Sequence, residues 1–202
     1  MLKMRMLILL AISIPLMMTV GLAQAVAEEA PPFPAASKEF SFLLGYGSTI
    51  PGFGATRTRV ETVDFIGRYG YFLSDEVGSG WYRGQFQLVL ELPFHLATAP
   101  RVRVMTGGNV LQKYNFHGLK EERLIPYVFG GGGVLYVDLG QPTMGSKLDF
   151  SYGGGAGLQY LYRKDLALSL ESRYHHISNA NTAEPNEPLN SVKVLVGVSL
   201  FR

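Results

Sequence analysis

The sequence predicts an all-β fold: an eight-stranded antiparallel β-barrel that spans a membrane. Three observations predict it. Apolar and polar residues alternate with period two along most of the chain, as in strands whose successive side chains face opposite ways. The alternating runs exceed the strand length of about 5–6 residues common in globular proteins and match the ~9–11 residues of a tilted transmembrane strand. Beyond residue 25, no stretch of about 18 consecutive apolar residues could form a spanning helix.

Composition narrows the field further. Of 202 residues, 24 are glycine and none is cysteine, so thiolate chemistry, disulfides and cysteine-ligated metals drop out. Aromatics at 12% argue against a disordered chain, and a net charge of +2 gives no basic field for nucleic acid.

The elements follow in order. Lys3 and Arg5, an apolar run from Met6 to Val20 and Ala23-Gln24-Ala25 have the anatomy of a signal peptide over 1–25. Its removal takes two of the 18 basic residues and leaves 16 against 16 acidic ones. Residues 26–38, with Pro31, Pro32 and Pro34, read as an extended lead-in. The barrel occupies 39–202, with strands expected at 39–49, 60–73, 80–94, 101–116, 125–138, 147–162, 165–178 and 190–201.

Two strands show the alternation best. In the third, Tyr82, Gly84, Phe86, Leu88, Leu90, Leu92 and Phe94 share one face, and Arg83, Gln85, Gln87, Val89, Glu91 and Pro93 the other. In the sixth, Leu148, Phe150, Tyr152, Ala156, Leu158, Tyr160 and Tyr162 oppose Asp149, Ser151, Gly153, Gly155, Gly157 and Gln159. An apolar outer face, aromatic ends and a polar or small inner face describe a transmembrane barrel wall. The small inner glycines are expected to make room for Arg83, Gln85 and Glu91. Eight strands leave an interior filled by side chains, so a porin-type channel is not expected. Gly130 to Gly133 lie in an ambiguous fifth segment, lack phosphate-loop spacing, and read as close backbone approach. The last segment places Phe201 next to the terminus, on the Lys193/Ser199 face.

Of His95, His117, His175 and His176, only the last two sit among other reactive side chains. Counting by two from Leu166 puts His176 and Ser178 on the leucine-bearing outer face, with Glu171, Arg173 and His175 inward. Counting back from Leu200 puts Asn190 on the same outer face. With a periplasmic N-terminus, the hairpin joining the last two strands lies on the extracellular side. A hydroxyl, an imidazole and an amide then meet on the outer wall, the grouping of a nucleophile, its base and an orienting group.

The run His176-Ile177-Ser178-Asn179-Ala180, then Pro185-Asn186 and Asn190-Ser191, resembles the signature of outer-membrane lipid A 3-O-deacylases of the PagL type. The likeness extends to Glu91-Leu92-Pro93-Phe94 and Pro126-Tyr127. The resemblance implies a bacterial outer-membrane esterase acting on the lipid A of lipopolysaccharide, with no cofactor. Ser178 would be the nucleophile, His176 the base, and Asn179 an oxyanion residue. Two positions depart from the pattern: Asn190 stands where the acidic third member belongs, and Asn181 where glycine commonly follows. Glu184 or Glu187 is a candidate source of the missing charge. The amide keeps open a barrel that retains the motif without activity, and a soluble periplasmic ligand-binding sandwich is a third reading. Outer-membrane lipids are the other implied partners, and oligomeric state is left open, a homodimer included.

Overall fold

A computed structural model of the protein describes residues 37–119, 123–139 and 144–202. The signal peptide and nearly all of the lead-in lie outside them. Among the described residues eight antiparallel strands form one closed barrel: β1 (Lys38–Thr49), β2 (Glu61–Phe72), β3 (Gly84–Ala99), β4 (Arg103–Phe116), β5 (Leu124–Val137), β6 (Leu148–Arg163), β7 (Leu166–Ser178) and β8 (Leu189–Phe201). Each strand pairs with the next, and β1 pairs with β8 from Glu39↔Phe201 to Thr49↔Ser191 to close the wall. A single sheet closed on itself replaces the sandwich reading.

Alternation puts apolar side chains outside. Phe40, Phe42, Leu90, Leu92, Val194 and Val196 are exposed on the outer wall. The inner face is buried and largely polar at mid-height. There Arg68 bonds Glu91 at 2.8 Å and Glu171 at 2.7 Å, and Arg173 bonds Glu91 at 3.0 Å and also Glu171. Two cations thus face two anions. Lys193 bonds Asp64 at 2.9 Å, and Lys113 bonds Glu39 at 2.9 Å. Buried charge needs such pairing. Apolar clusters also pack the interior: Met105, Leu135, Ile177 and Leu189 in one, Phe72, Ile125, Leu161 and Phe201 in another. Phe201 is therefore an inner residue, as its face predicted.

The third strand is where sequence and structure differ most. It starts at Gly84 and runs to Ala99, whereas 80–94 was expected. Gly80–Tyr82 instead forms a 3₁₀ turn, with Gly78 and Gly80 at φ 81° and 58°, conformations that favour glycine. Tyr82 is thus off the wall. Arg83 is correspondingly not a lumen residue: it pairs with exposed Glu76 at 2.9 Å and bonds the carbonyl of His117. Gln85 keeps the inner face, opposite buried Asn115, and donates to the carbonyl of Ser74 at 3.2 Å. Of the three expected groups, Arg83 is thus the one that lies outside the barrel interior.

The glycines serve two purposes. In β5 a Cβ on Gly131 would come within 2.2 Å of the Val110 carbonyl, the close approach expected of that segment. In β6 a Cβ on Gly157 would come within 2.2 Å of Tyr127 Cζ. Tyr127 is buried and donates its hydroxyl to Glu171 at 2.9 Å. Gly157→Ala is therefore expected to displace the ring and lower stability by about 1–3 kcal/mol, as overpacking does. A fall in the urea midpoint of the folded barrel, read by its heat-dependent gel shift, checks this.

Candidate active site

Strand parity and register build the site. On β7, Tyr174, His176 and Ser178 alternate with buried Arg173, His175 and Ile177. The register sets His176 opposite Asn190 on β8 and opposite Tyr152 on β6. His176 Nε2 lies 3.0 Å from Ser178 Oγ, and its Nδ1 lies 2.7 Å from Asn190 Oδ1. The three residues read from sequence thus form one hydrogen-bonded row on the outer wall. The Tyr152 ring stacks on His176 with centroids 4.4 Å apart and an interplanar angle of 26°. Tyr174 donates its hydroxyl to the same Asn190 Oδ1.

Asn190 is only 4% exposed despite its outward parity, because the loop 50–60 folds over it. Its backbone N–H and its Nδ2 both donate to Thr56 Oγ1, at 2.9 and 2.8 Å. Nδ2 also donates to the carbonyl of Phe53 at 3.2 Å. The Phe53 ring meets Tyr174 edge-on, centroids 6.1 Å apart. Sequence reading missed four residues here. Tyr152 and Tyr174 were within reach of the parity count that found His176. Nothing in the sequence marked Phe53 or Thr56, which sit in a loop without periodicity.

Asn179, the expected oxyanion residue, has its donors taken up by its own loop. It is fully buried, and its Nδ2 donates to the carbonyls of Ala183 at 2.8 Å and Pro185 at 3.3 Å. Its backbone N–H donates to Asn186 Oδ1. Its donors are thus engaged within the 179–188 loop. Asn181 keeps the backbone shape a glycine would give: Ala180 and Asn181 sit at φ 51° and 61°, and asparagine tolerates that region better than most residues.

Neither glutamate completes the row. Glu184 is exposed. Glu187 accepts the N–H groups of Arg57 and Thr58 at 2.9 and 2.6 Å, tying the loop 50–60 to the β7–β8 hairpin. Partial burial raises its carboxyl, but the bonds from Thr58 and Arg57 outweigh that and hold it below the ordinary 4.5. A carboxyl lowered on folding stabilises fully above its unfolded value, and that contribution is lost as pH falls through the folded one. Glu187→Ala is expected to speed amide exchange at Arg57 and Thr58 at neutral pH. Wild-type protection at those amides, corrected for intrinsic rates, should fall as pH drops below 4.5.

Among the described residues no group of three or more His, Asp or Glu is arranged to hold a metal ion. Fold and site together define a class: a transmembrane β-barrel carrying a hydroxyl, an imidazole and a carboxamide in contact on its outer wall. The chain matches the family model of lipid A 3-O-deacylase (PagL) over residues 68–199, and it belongs to that family. Its fold is similar to the crystal structure of the outer membrane enzyme PagL, at 18% identity and a TM-score of 0.55, covering 79% of this chain and 97% of that one. It is also similar to Neisserial surface protein A, at 15% identity and a TM-score of 0.61, covering 83% and 98%. Both likenesses are likenesses of fold. No curated protein matches the chain.

Proposed function

We propose that the protein is an esterase that removes the 3-O-linked acyl chain from lipid A in the outer leaflet of the bacterial outer membrane. The observation that carries this is the Asn190–His176–Ser178 row, with contacts of 2.7 and 3.0 Å, on an apolar wall. Such a wall faces acyl chains, and the substrate already lies in the bilayer. With the N-terminus periplasmic, odd-numbered strands run outward, and the row stands near the extracellular end.

In this reading Ser178 Oγ attacks the ester carbonyl while His176 Nε2 takes its proton. The tetrahedral adduct collapses, the C–O bond to the sugar breaks, and His176 returns the proton to the leaving 3-hydroxyl. Water, deprotonated by the same nitrogen, then releases the fatty acid from Ser178. Asn190 orients the imidazole, as an amide does in Cys-His-Asn sites. Asn179 enters as the residue that shapes the loop beside the nucleophile.

The amide at 190 is the observation that favours the alternative, a barrel that keeps the motif without hydrolysis. Mass spectrometry of lipid A separates the two. Cells making the protein should lose one hydroxyacyl chain from lipid A. An unchanged profile, with folded barrel present in the membrane, sinks the esterase reading.

A further inference from the structure

A carboxylate and a carboxamide do different work beside a histidine. Either oxygen of a carboxylate accepts from Nδ1–H, so its orientation is immaterial. A carboxamide has a right way round. Reversed, it would offer an N–H to Nδ1, leave the ring proton on Nε2, and stop Nε2 from accepting the Ser178 proton. An amide at position 190 needs something to hold it.

We infer that Thr56, with the carbonyl of Phe53, is the positioning group that fixes the Asn190 carboxamide and thereby the tautomer of His176. The inference rests on the esterase reading for its catalytic meaning and on hydrogen-bond directions for its structure. Thr56 Oγ1 has a single proton, and it goes to the carbonyl of Pro188 at 2.8 Å. Toward Asn190 the hydroxyl can then only accept, and it accepts from both N–H and Nδ2. The Phe53 carbonyl also can only accept, from Nδ2 at 3.2 Å. Both amide protons are thereby taken, and Oδ1 is turned to His176.

Oδ1 cannot donate, so Nδ1, at 2.7 Å, must carry the ring proton. The second lone pair of Oδ1 takes the Tyr174 hydroxyl proton. Nε2 is left bare, 3.0 Å from Ser178 Oγ. Every direction in this chain follows from the Pro188 carbonyl. Thr56 and Asn190 are 1% and 4% exposed, so water does not compete for these bonds. The hydroxyl makes all three of its bonds to the stretch 188–190, which an ordinary loop threonine has no reason to do.

The test uses the full chain, refolded in detergent micelles, with ¹⁵N-labelled histidine. His176→Gln assigns the ring signals of His176. Wild type and Thr56→Ser should show the proton on Nδ1. Thr56→Val, which loses the hydroxyl at nearly equal size, should show mixed tautomers. Its kcat for lipid A deacylation should fall by at least about tenfold, short of the ~10⁴-fold that a wrong tautomer can cost a serine triad, with KM little changed. Thr56→Ser should retain the wild-type rate. A wild-type ring with its proton on Nε2, or a Thr56→Val protein with unchanged tautomer and rate, overturns the inference. If Thr56→Val does not fold, the wild-type tautomer alone decides it. If wild type removes no acyl chain while Thr56→Val still scrambles the tautomer, the positioning stands and the esterase reading falls.

Discussion

Ser178→Ala is expected to abolish loss of the 3-O-acyl chain while leaving the barrel intact. The two halves of that expectation have separate physical causes. Removing the nucleophile of a serine hydrolase costs on the order of 10⁶ in kcat, because no other atom at the site can form the covalent intermediate. The hydroxyl contributes little to the fold: it makes one contact, to His176 Nε2 at 3.0 Å, at the end of a strand. A single neutral hydrogen bond is worth about 1 kcal/mol, so the urea midpoint should scarcely move. Lipid A from cells making wild type and Ser178→Ala, compared side by side by mass spectrometry, checks the rate. A heat-dependent gel shift on the same membranes checks the fold. Residual deacylation near the wild-type level in the variant would remove Ser178 from the mechanism.

The second large effect is expected inside the barrel, on the face of the wall opposite the row. Glu91→Ala should destabilise the barrel by about 3–5 kcal/mol, the range for breaking a buried ion pair from one side. Glu91 binds Arg68 at 2.8 Å, Arg173 at 3.0 and 3.1 Å, and Asn109 at 3.0 Å. Its loss leaves two buried guanidinium groups to share Glu171. Both Arg side chains also lie over the Phe129 ring, at 5.2 and 5.0 Å, which does not replace a full negative charge. Urea unfolding in lipid vesicles gives the change directly. Glu91→Gln should lose less, because the amide oxygen still accepts from arginine. If Glu91→Ala unfolds at the wild-type midpoint, the quartet is not what holds the middle of the barrel.

Much of the fold was legible because alternation is a local signal. Seven of the eight strands begin and end within two residues of expectation, and the outer faces of β3 and β6 agree residue by residue where the strands exist. The same count placed His176, Ser178 and Asn190 on one side. The misreading at 80–83 has a local cause: Tyr82 and Arg83 continue the pattern in letters, while glycines at 78 and 80 turn the backbone away from it. The remaining errors concern contacts between loops. Thr56 reaches Asn190 across 134 positions and Glu187 reaches Thr58 across 129, and no periodicity records such meetings. The oxyanion role of Asn179 came from the family resemblance, and no local pattern showed that its donors close its own loop.

The row on the wall draws on both termini of the barrel. Ile50, which follows β1, donates its N–H to the carbonyl of Asn190 at the head of β8, at the seam where β1 and β8 close the wall. The bonds from Asn190 to Thr56 join the loop after β1 to β8 across that same seam. A chain in which β1 and β8 have not paired would carry every residue of the row without the geometry that the closed wall gives it.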